Sequence, residues 1–439
     1  MMRRLGIALL TFVLAAVLPA APASAATRLS GTLPDGATWI ADVPDGWNGT
    51  LVLFSHGFRP GPDNPAANAP DPATAQALLD RGYALAGSSY AHAGWALDTA
   101  VADQLSTLAA VEDRIGPARE VVALGQSMGG LVSALLAERA AGRVDGVLTT
   151  CGLVGGGINL NNYQLDGEHA LAELLLPGQD VQLTGFTTPA QAAATVAALT
   201  TAVRRAQETP AGRARIALAA SLMNTPIWAA GPQPPTDHAA RQQAQYTWLL
   251  QTLPFVIPSR VSIVSVAGGD SGWNTGVDYA RLMHRSARLP QVAALYREAG
   301  LDLHADLGTL TRAADIAPDS AAVAWMRRTS TPTGRLRVPE LTLHTIADQL
   351  APVEYQRDYA LRVAGAGESA LLRQAYVQRV GHCAFTPAEY LAGVFAVQHR
   401  IRTGAWSDAA RPERLQDVAS AIGDAAFVRY SPPPFVNAR

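Results

Sequence analysis

The stretch Val121-Val122-Ala123-Leu124-Gly125-Gln126-Ser127-Met128-Gly129-Gly130 decides how the chain is read. A short apolar, partly β-branched run ends in Gly125-Gln126-Ser127-Met128-Gly129, and the helix-like Leu131 to Ala141 follows at once. The pattern is strand, sharp turn, helix, with a serine at the apex. In a G-x-S-x-G turn the serine backbone is strained, and small residues two before and two after it let strand and helix approach. Gly125 and Gly129 fill those places. Such a turn pushes Ser127 Oγ out over the end of a sheet and aims the Met128 N–H, at the helix start, at any oxyanion formed there. Ser127 is therefore the candidate nucleophile and Met128 the first oxyanion donor.

Working outward toward the N-terminus, Thr38 to Val43 and Leu51 to Ser55 read as strands, the second a continuous apolar run of the kind buried in a parallel sheet. It ends in His56-Gly57-Phe58, a turn after a strand in which Gly57 allows close approach. Arg59 to Pro72, rich in Pro, Asn and Asp, reads as surface turns. Ala73 to Arg81 reads as a helix and Tyr83 to Ser88 as a strand running into Ser89-Tyr90-Ala91-His92-Ala93-Gly94-Trp95. Tyr90 and Trp95, just past a strand end, are candidate substrate-binding residues. Asp98 to Gly116 has helical apolar spacing at Val101, Leu105, Leu108, Val111 and Ile115, with Asp98 as N-cap and Gly116-Pro117 as the stop. With Val144 to Thr150 as a further strand, this alternation predicts a mostly parallel sheet with helices on both faces.

Toward the C-terminus the alternation stops near Leu153. Ala-rich helical stretches follow at Pro189 to Glu208, Ala211 to Met223, His238 to Leu253, Val277 to Ala299 and Pro318 to Arg328. They read as a helical cap spanning 153–337, inserted after the sixth core strand and dividing the core into 26–152 and 338–439. Sheet pattern resumes at Glu340 and runs into Asp348, and Leu371 to Val380 runs into Gly381-His382-Cys383. Pro387 to Arg402 and Pro412 to Ile422 are amphipathic helices that would cover the sheet. Serine, acid and histidine thus each follow a strand, in that order. Asp348 is preferred over Asp270, which falls inside the helical insertion, and His382 over His344, His92 and His304.

That order, with His56-Gly57 and Gly125-Gln126-Ser127-Met128-Gly129, resembles the α/β-hydrolase superfamily over essentially the whole chain after residue 25. Within it the sequence is similar to secreted bacterial serine esterases and to the prolyl and tripeptidyl aminopeptidases. The resemblance implies Ser127 as nucleophile, His382 as general base and then acid, and Asp348 as the carboxylate that orients the histidine. Met128 and Phe58 would supply the oxyanion hole.

Composition narrows the function classes. A net charge of −2 with 16% charged residues lacks the clustered basic surface of a nucleic-acid binder. The sequence contains no lysine, which removes Schiff-base, Ser-Lys and P-loop chemistry. Arg3-Arg4, the apolar run Leu5 to Leu18 and Ala23-Ser24-Ala25 read as a signal peptide over 1–25, so a secreted protein, extracellular or periplasmic, is expected. No later stretch reads as a membrane span. Cys151 and Cys383 are the two cysteines, and an exported chain with an even number invites a disulfide between them. They lack the paired spacing of a zinc site, and the mechanism implied requires no metal or cofactor.

The expected reaction is hydrolysis of a small or medium apolar acyl or aryl ester through an acyl-enzyme. Two other readings stay open at this point. One is an exopeptidase, with Glu168, Glu173 or Asp270 pairing the substrate ammonium; the other is an inactive hydrolase scaffold that only binds.

Overall fold

The computed structural model describes residues 26–439, so the expected signal peptide lies outside the described residues. The strands are β1 (Ala26–Thr32), β2 (Thr38–Pro44), β3 (Thr50–Ser55), β4 (Ala84–Ser88), β5 (Glu120–Gln126), β6 (Gly146–Thr150), β7 (Glu340–Ala347), β8 (Leu372–Val380) and β9 (Phe427–Val428). They form one sheet in the order β1-β2-β4-β3-β5-β6-β7-β8-β9. β3 to β8 pair in parallel, while β2 meets β1 and β4 antiparallel and β9 closes the far edge antiparallel to β8.

The helices between them are α1 (Pro72–Leu79), α2 (Ala100–Ile115), α3 (Met128–Arg139), α4 (Gly157–Leu175), α5 (Pro189–Ala206), α6 (Pro210–Leu222) and α7 (His238–Ala267). There follow α8 (Tyr279–Arg285), α9 (Leu289–Glu298), α10 (Leu303–Arg312), α11 (Ser320–Thr329), α12 (Glu354–Gly365), α13 (Pro387–Thr403) and α14 (Pro412–Ser420). The central strands are buried on both faces, which is why they read as unbroken apolar runs. Leu51, Leu53, Val121 and Ala123 face one core with α2 and α3; Val52, Phe54, Val122 and Leu124 face the other with α1, α13 and α14. The expected doubly covered, mostly parallel sheet is the one found.

Eight helices, α4 to α11, lie between β6 and β7 in the chain. Several differ from expectation. α7 was expected to stop at Leu253, yet it continues through Pro254 and Pro258 to Ala267. A proline inside a helix costs about 3 kcal/mol locally, and packing along α5, α6 and α11 outweighs that here. The extended α7 also has the length and apolarity of a membrane span, contrary to the expectation that no later stretch would. Its Arg260 is buried in an ion pair with Glu168 of α4, so a charge pair ties this helix to the protein. Val277 to Ala299 is two helices, because Pro290 at the start of α9 cannot share a helix with the carbonyl four residues back, that of Ser286. Asp98 does not cap α2. Thr99 takes that place without a side-chain bond, and Asp98 accepts from His92 at 2.9 Å. The helices α4, α10 and α12 and the edge strands β1 and β9 were not expected.

Candidate active site

Ser127 stands between β5 and α3 with φ +60° and ψ −121°, a conformation that L-residues rarely adopt. Its two glycines are required by contact. A Cβ on Gly125 would lie 2.0 Å from the Gly129 carbonyl oxygen, and one on Gly129 would lie 1.9 Å from that of Ser55. Crowding at the turn thus holds the serine hydroxyl outward, toward the loops after β7 and β8.

From β8, the chain turns at Gly381, whose φ of +110° favours glycine, and presents His382. The Gly381 N–H donates to the Ala347 carbonyl at 2.9 Å, and the Thr345 hydroxyl donates to the Gly381 carbonyl at 2.9 Å. The Ser127 hydroxyl donates to His382 Nε2 at 2.8 Å, and His382 Nδ1–H donates to Asp348 at 2.8 and 2.9 Å. This direction follows from Asp348, a carboxylate that can only accept. Asp348 Oδ1 also accepts from the Leu350 and Ala351 amides at 2.9 and 2.8 Å. Burial alone would raise this carboxyl, but His382 and the accepted hydrogen bonds outweigh it and hold Asp348 below the ordinary carboxylate range. The structure therefore brings Ser127, His382 and Asp348 into one hydrogen-bonded chain.

The His56-Gly57-Phe58 segment lies beside the serine, since a Cβ on Gly57 would come within 3.1 Å of Ser127 Cβ. Neither the Met128 nor the Phe58 amide donates to an acceptor among the described residues. Both are free to donate to a ligand oxygen. His56 is stacked on Tyr90, and burial, with the Arg59 charge adding to it, lowers its pKa to about 4. It is neutral at any ordinary pH.

A cavity of about 350 Å³ opens over Ser127, within the range that holds a small-molecule ligand. Phe58, Trp95, Leu153 and Leu350 line it from the core, and α4 and α7 contribute Leu160, Gln164, Phe255, Val256, Ser259 and Ile263. Trp95 is held by its indole N–H on Ser330 Oγ at 3.0 Å and its amide on Ser262 Oγ at 3.1 Å. Tyr90, expected beside the substrate, is not part of the lining. It is buried beneath the segment after β3, where its hydroxyl donates to the His56 carbonyl at 2.9 Å. The two aromatics of one loop thus meet different surroundings, Trp95 the cavity and Tyr90 the core beneath His56.

The other candidates are occupied elsewhere. Glu168 accepts two bonds from Arg260 at 2.9 and 3.0 Å, both side chains fully buried. Asp270 accepts from the Gly185 and Gly272 amides, fixing a loop among the inserted helices. Glu173, on α4, does not line the cavity, and among the described residues no acidic side chain does. His344 is buried with Nδ1 beside the Thr345 carbonyl, and His304 is exposed at the start of α10. Cys151 and Cys383 are disulfide-bonded. With His382 they form a cluster of metal-ligand atom types, but both sulfurs are committed to each other and offer no thiolate. Sequence reading missed the contributions of Arg59, Gln164 and the second half of α7 to the cavity.

Sheet order, the serine turn and the hydroxyl–imidazole–carboxylate chain at the carboxyl ends of the strands together define the α/β-hydrolase fold. No protein-family profile matches the chain. The sequence is 29% identical over 433 residues to an o-phthalyl amidase of Xanthobacter agilis, covering 92% of this chain and 93% of that protein. Among solved structures it is similar to an esterase from Aspergillus oryzae, at 14% identity and a TM-score of 0.45, over 86% of this chain and 80% of the other. Feruloyl esterase B from Aspergillus oryzae is also similar, at 14% identity and a TM-score of 0.40, over 87% and 81%.

Proposed function

We propose that the protein is a serine hydrolase that cleaves carboxylic esters of small or medium acyl and aryl groups through an acyl-enzyme. The observation that carries this reading is the continuous hydrogen-bonded chain from Ser127 through His382 to Asp348 at the floor of a largely apolar cavity. His382 takes the proton as Ser127 Oγ attacks the substrate carbonyl, and the Met128 and Phe58 amides receive the oxyanion. The leaving alcohol collects that proton from His382, and water repeats the attack on the acyl-serine. Asp348 keeps Nδ1 protonated and stabilises the imidazolium throughout.

A second reading, amide cleavage by the same groups, is favoured by the similarity to an o-phthalyl amidase. Aminopeptidase activity has less support, because Glu168 is neutralised by Arg260 and none of the described residues lining the cavity is an acid that could pair an α-ammonium. The inserted helices act as the cap over 153–337, a role supported by the α4 and α7 side chains in the cavity wall. Export to an oxidising compartment fits the Cys151–Cys383 disulfide.

Hydrolysis of a panel of 4-nitrophenyl esters and acyl 4-nitroanilides, with Ser127→Ala beside the unaltered protein, tests the reading. Ester turnover that vanishes in the variant supports it. Turnover confined to anilides replaces it with the amide reading, and no turnover together with ligand binding would leave only a binding protein on this scaffold.

A further inference from the structure

Among the described residues, Arg59 is the one arginine that lines the cavity. It directly follows Phe58, which lines the same cavity beside Ser127. It forms no ion pair among the described residues, although the chain has 36 acidic residues and thirteen such pairs occur among those described. One N–H group donates to the Pro65 carbonyl, which fixes the head of the side chain. The remaining donors have no acceptor among the described residues. A half-buried guanidinium without a counter-ion thus stands at the wall of a largely apolar cavity, where an anionic group would find a partner. Burial lowers its pKa, in the direction that an anion beside it would reverse.

We infer that Arg59 is a specificity residue that receives a carboxylate carried by the substrate, so that the preferred substrates are half-esters or half-amides of dicarboxylic acids. Guanidinium presents paired N–H groups that match a carboxylate, and the apolar walls formed by Trp95, Leu160 and Val256 suit the carbon frame between the two carboxyl groups. A lysine would offer charge without the fork. This inference rests on the serine hydrolase reading given above.

The test compares monoethyl esters of the three benzenedicarboxylic acids with the neutral ethyl nitrobenzoates of the same substitution, since a nitro group has nearly the shape of a carboxylate. Each is measured with the unaltered protein and with Arg59→Gln and Arg59→Lys. The expected result is that at least one carboxylated isomer is preferred, that the carboxylate-to-nitro ratio of kcat/KM falls about 10- to 100-fold in Arg59→Gln, mainly through KM, and that Arg59→Lys restores part of it. An equal loss on both members of every pair would make Arg59 a loop or oxyanion residue and overturn the inference, as would an unaltered protein with no preference for any carboxylated isomer. Turnover of the nitrobenzoates keeps the hydrolase reading standing in either case. Absence of all turnover, with no labelling of Ser127 by a fluorophosphonate, removes that reading and this inference with it.

Discussion

Cys383, the residue after His382, is bonded to Cys151 at the end of β6, with the two Cα atoms 5.2 Å apart. β6 is the neighbour of β5, which ends at the serine turn, so the bond fastens the histidine loop to the strand beside its target. It also closes a chain separation of 232 residues that contains all the inserted helices. Reduction, or replacement of both cysteines by alanine, should lower stability by about 2–4 kcal/mol and lower kcat as the His382 loop loosens. Thermal melts and ester turnover with and without reductant check this; unchanged melting and unchanged turnover would show that the bond holds nothing.

Asp348→Asn should keep the fold and lower kcat by about 10³- to 10⁴-fold with little change in KM, because the imidazole would then rest in the wrong tautomer. Steady-state kinetics beside a circular dichroism spectrum decide it. Asp270→Asn, a change among the inserted helices, should leave kcat within a few-fold.

Tyr90→Phe removes one hydrogen bond, from the hydroxyl to the His56 carbonyl, beneath the Gly57-Phe58 segment. Because Tyr90 does not reach the cavity, the loss should appear in kcat, by roughly 2- to 10-fold, with KM unchanged. A rise in KM alone would mean that the ring touches substrate.

Glu340 opens β7 and is fully buried, with the Thr149 and Tyr359 hydroxyls each 2.6 Å from its carboxyl oxygens. Burial raises its pKa to about 7, against the partial relief given by those two hydroxyls. A folded-state value above the unfolded one means that its stabilising contribution is complete below about pH 4.5 and is lost as the pH rises through about 7. Glu340→Gln should therefore flatten the stability profile between pH 5 and 8, and exceed the unaltered protein at pH 8 by on the order of 2 kcal/mol. Parallel profiles from urea unfolding at the two pH values would contradict this.

β3 and β5 were legible because they are buried on both faces and so announce themselves as apolar runs, and the serine turn because its glycines are demanded at fixed positions. α4 was not legible. It is buried all round, yet carries Asn161, Asn162, Asp166, Glu168 and His169, which read locally as a polar loop. Their partners lie far along the chain: Ser271 for Asn161, the Trp273 amide for Asn162, Tyr279 and Asn437 for Asp166, Arg260 for Glu168 and the Leu310 carbonyl for His169. A helix satisfied by distant side chains leaves no local period. The second half of α7 was hidden by its prolines, although it supplies much of the cavity wall. Arg59 read as part of a turn, because nothing near it in sequence shows that its side chain points inward.

In the mechanism proposed above, Ser127 is a nucleophile activated by His382. Labelling with a fluorophosphonate, followed by peptide mass mapping, measures it directly in the unaltered protein and in His382→Ala. One modified residue is expected, Ser127, with the labelling rate reduced by at least about 100-fold in the variant. Labelling of a different residue, or equal rates in the two proteins, would contradict it.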